Sequence, residues 1–316
     1  MLPVRAPYRL DLTVATLRRS SKNVVDVVAP DGAYLRAFDG EAGPGIVAVR
    51  QIAPDALALA IDAPPGEAAR LRALTVRMLG TERETPHFDR AAEATPWLRV
   101  LAARMKGVRP PRYPTLWEAV VNAVSFQQIS ILAAGAIVRR FIEAFGTPVV
   151  PPGGLPGLHA FPGAAAILAA PEAELRATGQ SAGKVATLRR VAEALLEGRL
   201  DEAMLEERPS LEAIALLGEI KGIGPWTGAV VMMRGLGRLD VFPEKDSGLA
   251  RSLRVASGSA IGEDDARAVV ASLAPEQAML YFHLLLALLE ARGELPALTP
   301  DAVPKAAETG AALRRT

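Results

Sequence analysis

Residues 211–253 read LEAIALLGEIKGIGPWTGAVVMMRGLGRLDVFPEKDSGLARSL, and this stretch decides the fold. Ile214, Leu217 and Ile220 recur at helical spacing, and the pattern stops at Lys221-Gly222-Ile223-Gly224. A second helix starts with Pro225 at its first position, where a missing N–H costs nothing. Two glycines around one isoleucine let the backbone turn sharply between the helices and leave amide hydrogens uncovered. With the positive end of the following helix, those amides suit a phosphate oxygen. The Ile223 side chain is expected to plug back between the helices. The stretch therefore predicts a helix–hairpin–helix element whose ligand is a nucleic-acid backbone, held by Lys221, Gly222, Ile223, Gly224 and Thr227.

Asp240-Val241-Phe242-Pro243-Glu244-Lys245-Asp246 follows, and Asp246 opens a new helix. Aspartate is among the best N-cap residues, so capping alone accounts for an aspartate in such a place. The hairpin, however, aims a nucleic acid at the same neighbourhood. A fixed carboxylate there can stabilise positive charge developing beside the backbone and orient or deprotonate a water.

The hairpin KGIGPWT, followed by DVFP and an aspartate at a helix start, is similar to the helix–hairpin–helix DNA glycosylases, and within them resembles DNA-3-methyladenine glycosylase II. The resemblance covers roughly residues 5–292. It implies that Asp246 is catalytic. It also implies a substrate pocket containing Trp226, Gln127, Gln128 and Tyr281. In bifunctional relatives such as 8-oxoguanine glycosylase, a lysine two residues after the last hairpin glycine forms a Schiff base. Trp226 stands there in this chain and supplies no amine nucleophile, which predicts a monofunctional enzyme. Its π-face suits an electron-poor methylated base, and core packing behind the hairpin is the alternative. Gln127-Gln128-Ile129-Ser130 matches a family segment near the DNA, and the family's wedge precedes it, at Ser125 and Phe126 here. The glutamines border the lesion site on one reading and hold the hairpin by an interhelical hydrogen bond on the other. Phe126 is either the wedge or core. The family's aromatic pair near a Pro-Trp-Arg segment is replaced by Pro275-Glu276-Gln277, with Tyr281 or Trp117 as substitutes for the pocket lining. Family hairpins also hold a monovalent cation on backbone carbonyls, and Gly218, Ile220 and Ile223 align with them.

Composition bounds the rest. With 316 residues, half of them hydrophobic, the chain buries a sizeable core. No uninterrupted apolar run of the roughly eighteen residues a membrane span needs is present, and the N-terminus lacks the apolar core of a signal peptide. Zero cysteines excludes disulfides, a cysteine nucleophile and the iron–sulfur cluster of some relatives. The three histidines, His87, His159 and His283, are scattered without metal-ligand spacing. A cytoplasmic, nucleoid-associated monomer with no cofactor beyond a structural monovalent cation is expected, with damaged double-stranded DNA as its partner and no membrane. The net charge of +1 does not argue for DNA, but Arg104, Lys106, Arg109 and Arg112 cluster without an acid, and Arg139-Arg140, Arg189-Arg190, Arg251 and Arg254 fall on helices. They are either solvated faces or a phosphate-binding patch.

The fold is expected to be α+β. Tyr8, Leu10, Leu12 and Val14 alternate with Arg9, Asp11 and Thr13, which predicts a half-buried strand. Val24–Val28, Tyr34–Phe38, Ile46–Ile52 and Leu57–Ile61 predict further strands, and Glu67–Leu79 a helix. Residues 1–88 thus form an α+β domain on an antiparallel sheet. Residues 89–295 form the helical glycosylase region, two helical subdomains with a cleft between them, including one long helical stretch from Leu116 to Phe145. Gly146–Gly163 reads as a Pro/Gly loop, and residues 296–316 as a flexible tail. The sequence points to a monofunctional glycosylase that flips an alkylated base of the 3-methyladenine type and hydrolyses its bond. The alternatives are a glycosylase for deaminated or oxidised bases, or a non-catalytic DNA-binding module.

Overall fold

The computed structural model describes residues 1–151, 157–244, 246–258 and 263–298. A sheet of seven strands packs against a helical body. The strands are β1 (Leu2–Pro3), β2 (Val27–Val28), β3 (Tyr34–Phe38), β4 (Gly45–Ala53), β5 (Ala56–Asp62), β6 (Thr147–Val149) and β7 (Leu158–Ala160). They run in the order β1-β5-β4-β3-β7-β6, with β2 on β3. The central β3-β4-β5 meander is antiparallel, as the sequence predicted, with Tyr34 opposite Val49 and Val49 opposite Leu59.

Two segments differ from their sequence reading. The expected first strand is a helix, α1 (Leu10–Arg18). Leu10, Leu12, Val14 and Leu17 are buried, but so are Thr13 and Thr16. The Thr16 hydroxyl donates to the Thr13 carbonyl, and the Thr13 hydroxyl accepts from the Arg109 amide. A helix enclosed on nearly every side has no wet face, so the alternation reflected composition rather than orientation. The Pro/Gly stretch after Phe145 supplies β6 and β7, and β7 pairs β3 in parallel through Ala37 and Ala160. Three-residue strands are too short to leave a periodic trace.

Helix α2 (Ala68–Leu79) lies where it was expected. The helical region opens with α3 (Pro86–Ala94) and α4 (Pro96–Arg104), which are separate because Pro96 takes the first position of the second. The stretch from Leu116 is likewise two, α5 (Leu116–Ser125) and α6 (Ile131–Phe145), with Ser130 capping the second through the Ala133 amide. Short helices α7 (Ala164–Ala169) and α8 (Glu172–Ala177) lead to α9 (Ala182–Leu196) and α10 (Glu202–Glu206). Then come α11 (Ser210–Gly218), α12 (Pro225–Val231), α13 (Ser247–Ser257), α14 (Glu263–Ser272) and α15 (Ala278–Ala291). Helix α12 continues as a π-helical turn over Met232–Leu236. Of the stretch read as a tail from Pro296, Leu298 is buried, its amide donates to Glu290 and its carbonyl accepts from Arg104; residues 299–316 lie outside the described residues.

One continuous apolar core joins sheet and helices, with α5 and α15 inside it. A buried ion network fastens β3 to α5. Arg36 is bonded to Asp26 at 2.5 Å and to both oxygens of Glu118 at 2.5 and 2.7 Å, and the Tyr34 hydroxyl donates to Asp26 at 2.7 Å. One guanidinium thus serves two carboxylates. Burial pushes the Glu118 carboxyl up to about 7, against the pull of Arg36 and with the push of Asp26.

Candidate active site

The hairpin forms as its sequence predicts. Ile223 is buried between α11 and α12, and Gly224 adopts the extended conformation of a helix N-cap ahead of Pro225. Gly222 has φ +105°, and a Cβ there would stand 1.9 Å from the Thr187 hydroxyl oxygen of α9. Only glycine meets both conditions. Lys221 is exposed, and its carbonyl accepts from Thr187 and Arg190 at 3.3 Å.

Asp246 is half-buried directly before α13. Its Oδ1 accepts from the Gly248 amide at 2.9 Å, and its main-chain carbonyl accepts from Ala250, so it does cap the helix. Its other oxygen, Oδ2, accepts from the Trp226 indole Nε1 at 3.0 Å. Trp226 is the second residue of α12. The carboxylate is therefore clamped between the start of its own helix and the start of the hairpin's second helix. Capping and site geometry use different oxygens of one side chain. Lys245 lies outside the described residues.

The remaining predicted residues separate into three groups. Gln127 is a strut: its amide donates to the Gly222 carbonyl at 3.0 Å and to the Thr227 hydroxyl at 2.8 Å, which is the hairpin-holding alternative rather than the pocket. Lys184 secures the same turn, its ammonium donating at 3.0 Å to the carbonyls of Ser125 and Gln127. Ser125 is fully buried and accepts from Gln180 at 2.6 Å, so it is not a wedge. Phe126 is half-buried with the Arg19 guanidinium 4.3 Å from its ring centre, which leaves its face occupied rather than presented to solvent. The exposed tip between α5 and α6 is instead Gln128, with φ +57°, followed by Ile129. The glutamine assigned to the pocket therefore stands at the point of the loop. Tyr281 on α15 is buried, and its hydroxyl accepts from Arg19 at 3.1 Å. Trp117 is held elsewhere by the Pro162 carbonyl, and Glu276 accepts from the Phe88 amide.

Sequence reasoning missed Arg19. It follows α1 in the left-handed conformation, φ +56°, and is buried between Phe126 and Tyr281. Reading this segment as a strand hid it, since alternation gives no reason to bring residue 19 to a site built from α5, α12 and α15. Burial works against its charge, and Tyr113, Tyr281, Asp246 and Asp26 outweigh burial and raise its pKa.

The three arginines of the cluster at residues 104–112 are structural, while Lys106 is exposed. Arg104 pairs with Glu290, Arg109 donates to the carbonyls of Arg5 and Pro7, and Arg112 donates to Leu236, with burial pushing it down to about 10. Arg189 likewise holds the Ala170 carbonyl. Arg251 and Arg254 are exposed on α13. Among the described residues no group of acidic and histidine side chains suits a metal ion. The Ile223 carbonyl oxygen lies 3.8 Å from where a Cβ on Gly218 would stand, and the neutral carbonyls of Gly218, Ile220 and Ile223 are donors of the kind a monovalent cation takes. No helix among the described residues is long and apolar enough to cross a membrane.

Sheet, helical body, two-glycine hairpin and a carboxylate clamped to it define a helix–hairpin–helix architecture. Residues 121–270 match the family described as HhH-GPD superfamily base excision DNA repair protein. It is 30% identical over 255 residues to a probable bifunctional transcriptional activator/DNA repair enzyme AlkA of Mycobacterium tuberculosis, covering 78% of this chain and 49% of the relative. A DNA-3-methyladenine glycosylase of Bacillus subtilis is 30% identical over 171 residues, 54% of this chain and 55% of that one. The chain spans about half the length of these curated relatives. Among solved structures, a 3-methyladenine DNA-glycosylase from Archaeoglobus fulgidus superposes with a TM-score of 0.76 at 25% identity, covering 92% of this chain and 98% of that one.

Proposed function

We propose that the protein is a monofunctional DNA glycosylase that flips an alkylated base of the 3-methyladenine type out of duplex DNA and hydrolyses its N-glycosidic bond. The observation that carries this reading is the Asp246 carboxylate held 3.0 Å from an indole nitrogen of the hairpin's second helix. The element suited to a phosphate backbone and the acid suited to the sugar are thereby one rigid unit. The hairpin amides and the first turn of α12 grip phosphate oxygens beside the lesion. Gln128 and Ile129, at the tip between α5 and α6, fill the space the extruded nucleotide leaves.

With the sugar beside Asp246, the bond from C1′ to the base nitrogen breaks and its electron pair leaves with the base. An alkylated purine is already cationic, so the departing base becomes neutral without a general acid. Asp246 stabilises the positive charge developing on the sugar and accepts a proton from the water that attacks C1′. Trp226 holds the carboxylate through its N–H and has no amine for a Schiff base, so the product is an intact abasic strand. Carbonyls of Gly218, Ile220 and Ile223 hold a structural monovalent cation. The working unit is a monomer on damaged double-stranded DNA.

Asp246→Asn decides the matter. It preserves shape and helix capping but removes the negative charge. Base release from methylated duplex, followed by chromatography, should fall by about a thousandfold while duplex binding persists. Release at the wild-type rate would remove Asp246 from the chemistry. Strand nicking by pure wild-type protein, without heat or alkali, would overturn the monofunctional assignment.

A further inference from the structure

Resting on the glycosylase reading above, we propose that Lys184 is a positioning residue for base extrusion: it fixes the tip between α5 and α6 relative to the hairpin and holds no DNA phosphate. A lysine beside a nucleic-acid hairpin is ordinarily read as a phosphate contact. The geometry here is different. The ammonium donates at 3.0 Å to the Ser125 and Gln127 carbonyls, which takes up two of its three donors. Those carbonyls lie at the C-terminal end of α5, where helical backbone leaves acceptors unmatched and a cation is favoured. Lys184 itself stands in the first turn of α9, where a cation opposes the helix dipole. Its charge therefore serves α5 and not the helix that carries it.

Three links close a triangle. Lys184 joins α9 to the tip. One turn along the same face of α9, the Thr187 hydroxyl lies 3.3 Å from the Lys221 carbonyl, and Gly222 approaches Thr187 so closely that a Cβ would clash. Gln127 donates to the Gly222 carbonyl and the Thr227 hydroxyl, which joins the tip to the hairpin. Gln180, just ahead of α9, adds a bond to the Ser125 hydroxyl at 2.6 Å. Inside this closed frame Gln128 keeps a left-handed backbone, φ +57°, which persists in a non-glycine residue only where the surroundings impose it. The Lys184 bond falls on the residue directly before Gln128, and the Ser130 cap of α6 lies two residues after it. Removing the ammonium releases the tip and leaves the hairpin amides, with their hold on phosphate, as they were.

The experiment compares wild type, Lys184→Met and Lys184→Arg on three readouts. The first is equilibrium binding to undamaged duplex at several salt concentrations. The second is the fluorescence of a duplex carrying 2-aminopurine opposite a tetrahydrofuran abasic analogue, which brightens as the tip enters the stack. The third is single-turnover base release from methylated duplex. Lys184→Met should bind within about threefold of wild type with the same salt slope, while the rates of brightening and of base release fall by about tenfold to a hundredfold. Lys184→Arg keeps the charge and the donors and should recover most of that loss. A salt slope shallower by about one makes Lys184 a phosphate contact and overturns the proposal. So do undiminished brightening and release in Lys184→Met, or a fall of both that only parallels losses of affinity and melting temperature. If Lys184→Met fails to fold, Gln127→Met cuts the other link to the tip and should give the same separation of extrusion from affinity. A wild type that releases no base defeats the glycosylase reading instead, and the fluorescence still decides the part Lys184 plays.

Discussion

Two buried arginines stand in this molecule under opposite conditions. Arg36, between β3 and α5, is enclosed by Asp26 and Glu118, with Tyr34 completing the shell. Arg19, at the end of α1, has one neutral hydroxyl and an aromatic face. Both are nearly inaccessible to solvent. The first is held between two carboxylates inside the protein, with its Nε unbonded. The second lacks a carboxylate in hydrogen-bonding contact and lines a cavity with Phe126 and Asn122. Burial alone therefore says little about the role of a charge; the state of its hydrogen bonds says more.

The largest expected effect is on Arg36. Arg36→Met leaves two buried carboxylates without a cation and should cost about 3–5 kcal/mol in urea unfolding. Arg19→Met removes a cation that lacks an ionic partner in hydrogen-bonding contact and keeps comparable volume against Phe126, so stability should stay within about 1 kcal/mol of wild type. Equal losses would break the comparison. Next comes Glu118. Its carboxyl is raised to about 7, so between the ordinary carboxylate range and pH 7 the folded state holds a proton that the unfolded chain has released. Its contribution to stability is lost as pH rises through that window. His283 is the mirror case, pushed by burial down to about 4 and beside Phe88. The unfolded chain gains its proton first, so stability is lost as pH falls from 6.5 towards 4. The two slopes oppose each other where they overlap. Glu118→Gln should therefore gain on wild type by roughly 2 kcal/mol from pH 5 to pH 7 and expose a steeper acid limb, measured as unfolding free energy against pH. A pH-independent difference would show that Glu118 stays ionised throughout. The smallest effect is at the clamp: Trp226→Phe keeps an aromatic ring, though a smaller one, and loses the N–H to Asp246, and single-turnover base release should slow by about tenfold with little change in melting temperature.

The hairpin and Asp246 were legible in the sequence because each depends on local chemistry. Gly222 and Gly224 set the turn, Pro225 sets a helix start, and aspartate caps a helix whatever surrounds it. The β3-β4-β5 meander was legible because runs rich in β-branched and aromatic residues are separated by turn residues such as Pro54-Asp55. What failed depended on distant parts of the chain. Helix α1 is enclosed on nearly all sides and so lost its helical signature, and Arg19 was hidden with it. Strands β6 and β7 exist because β3 has an open edge, not because their residues demand strand. The arginines of residues 104–112 looked like a phosphate patch because carbonyl partners such as those of Pro7 and Leu236 are invisible in one dimension. The tip of the α5–α6 turn was misplaced by two or three residues, since helix boundaries are the least determinate part of a periodic pattern.

Gln127 reaches across to the hairpin while Lys184 grips the carbonyls on either side of Phe126. These tethers brace the tip at Gln128 and the bend at Gly222 against each other, like the two jaws of a fixed gauge. On the glycosylase reading, a duplex meeting both at once would have to deform to fit, and helices already weakened by a damaged pair would yield most readily. Discrimination would then begin with the stiffness of the DNA, before any base reaches the carboxylate.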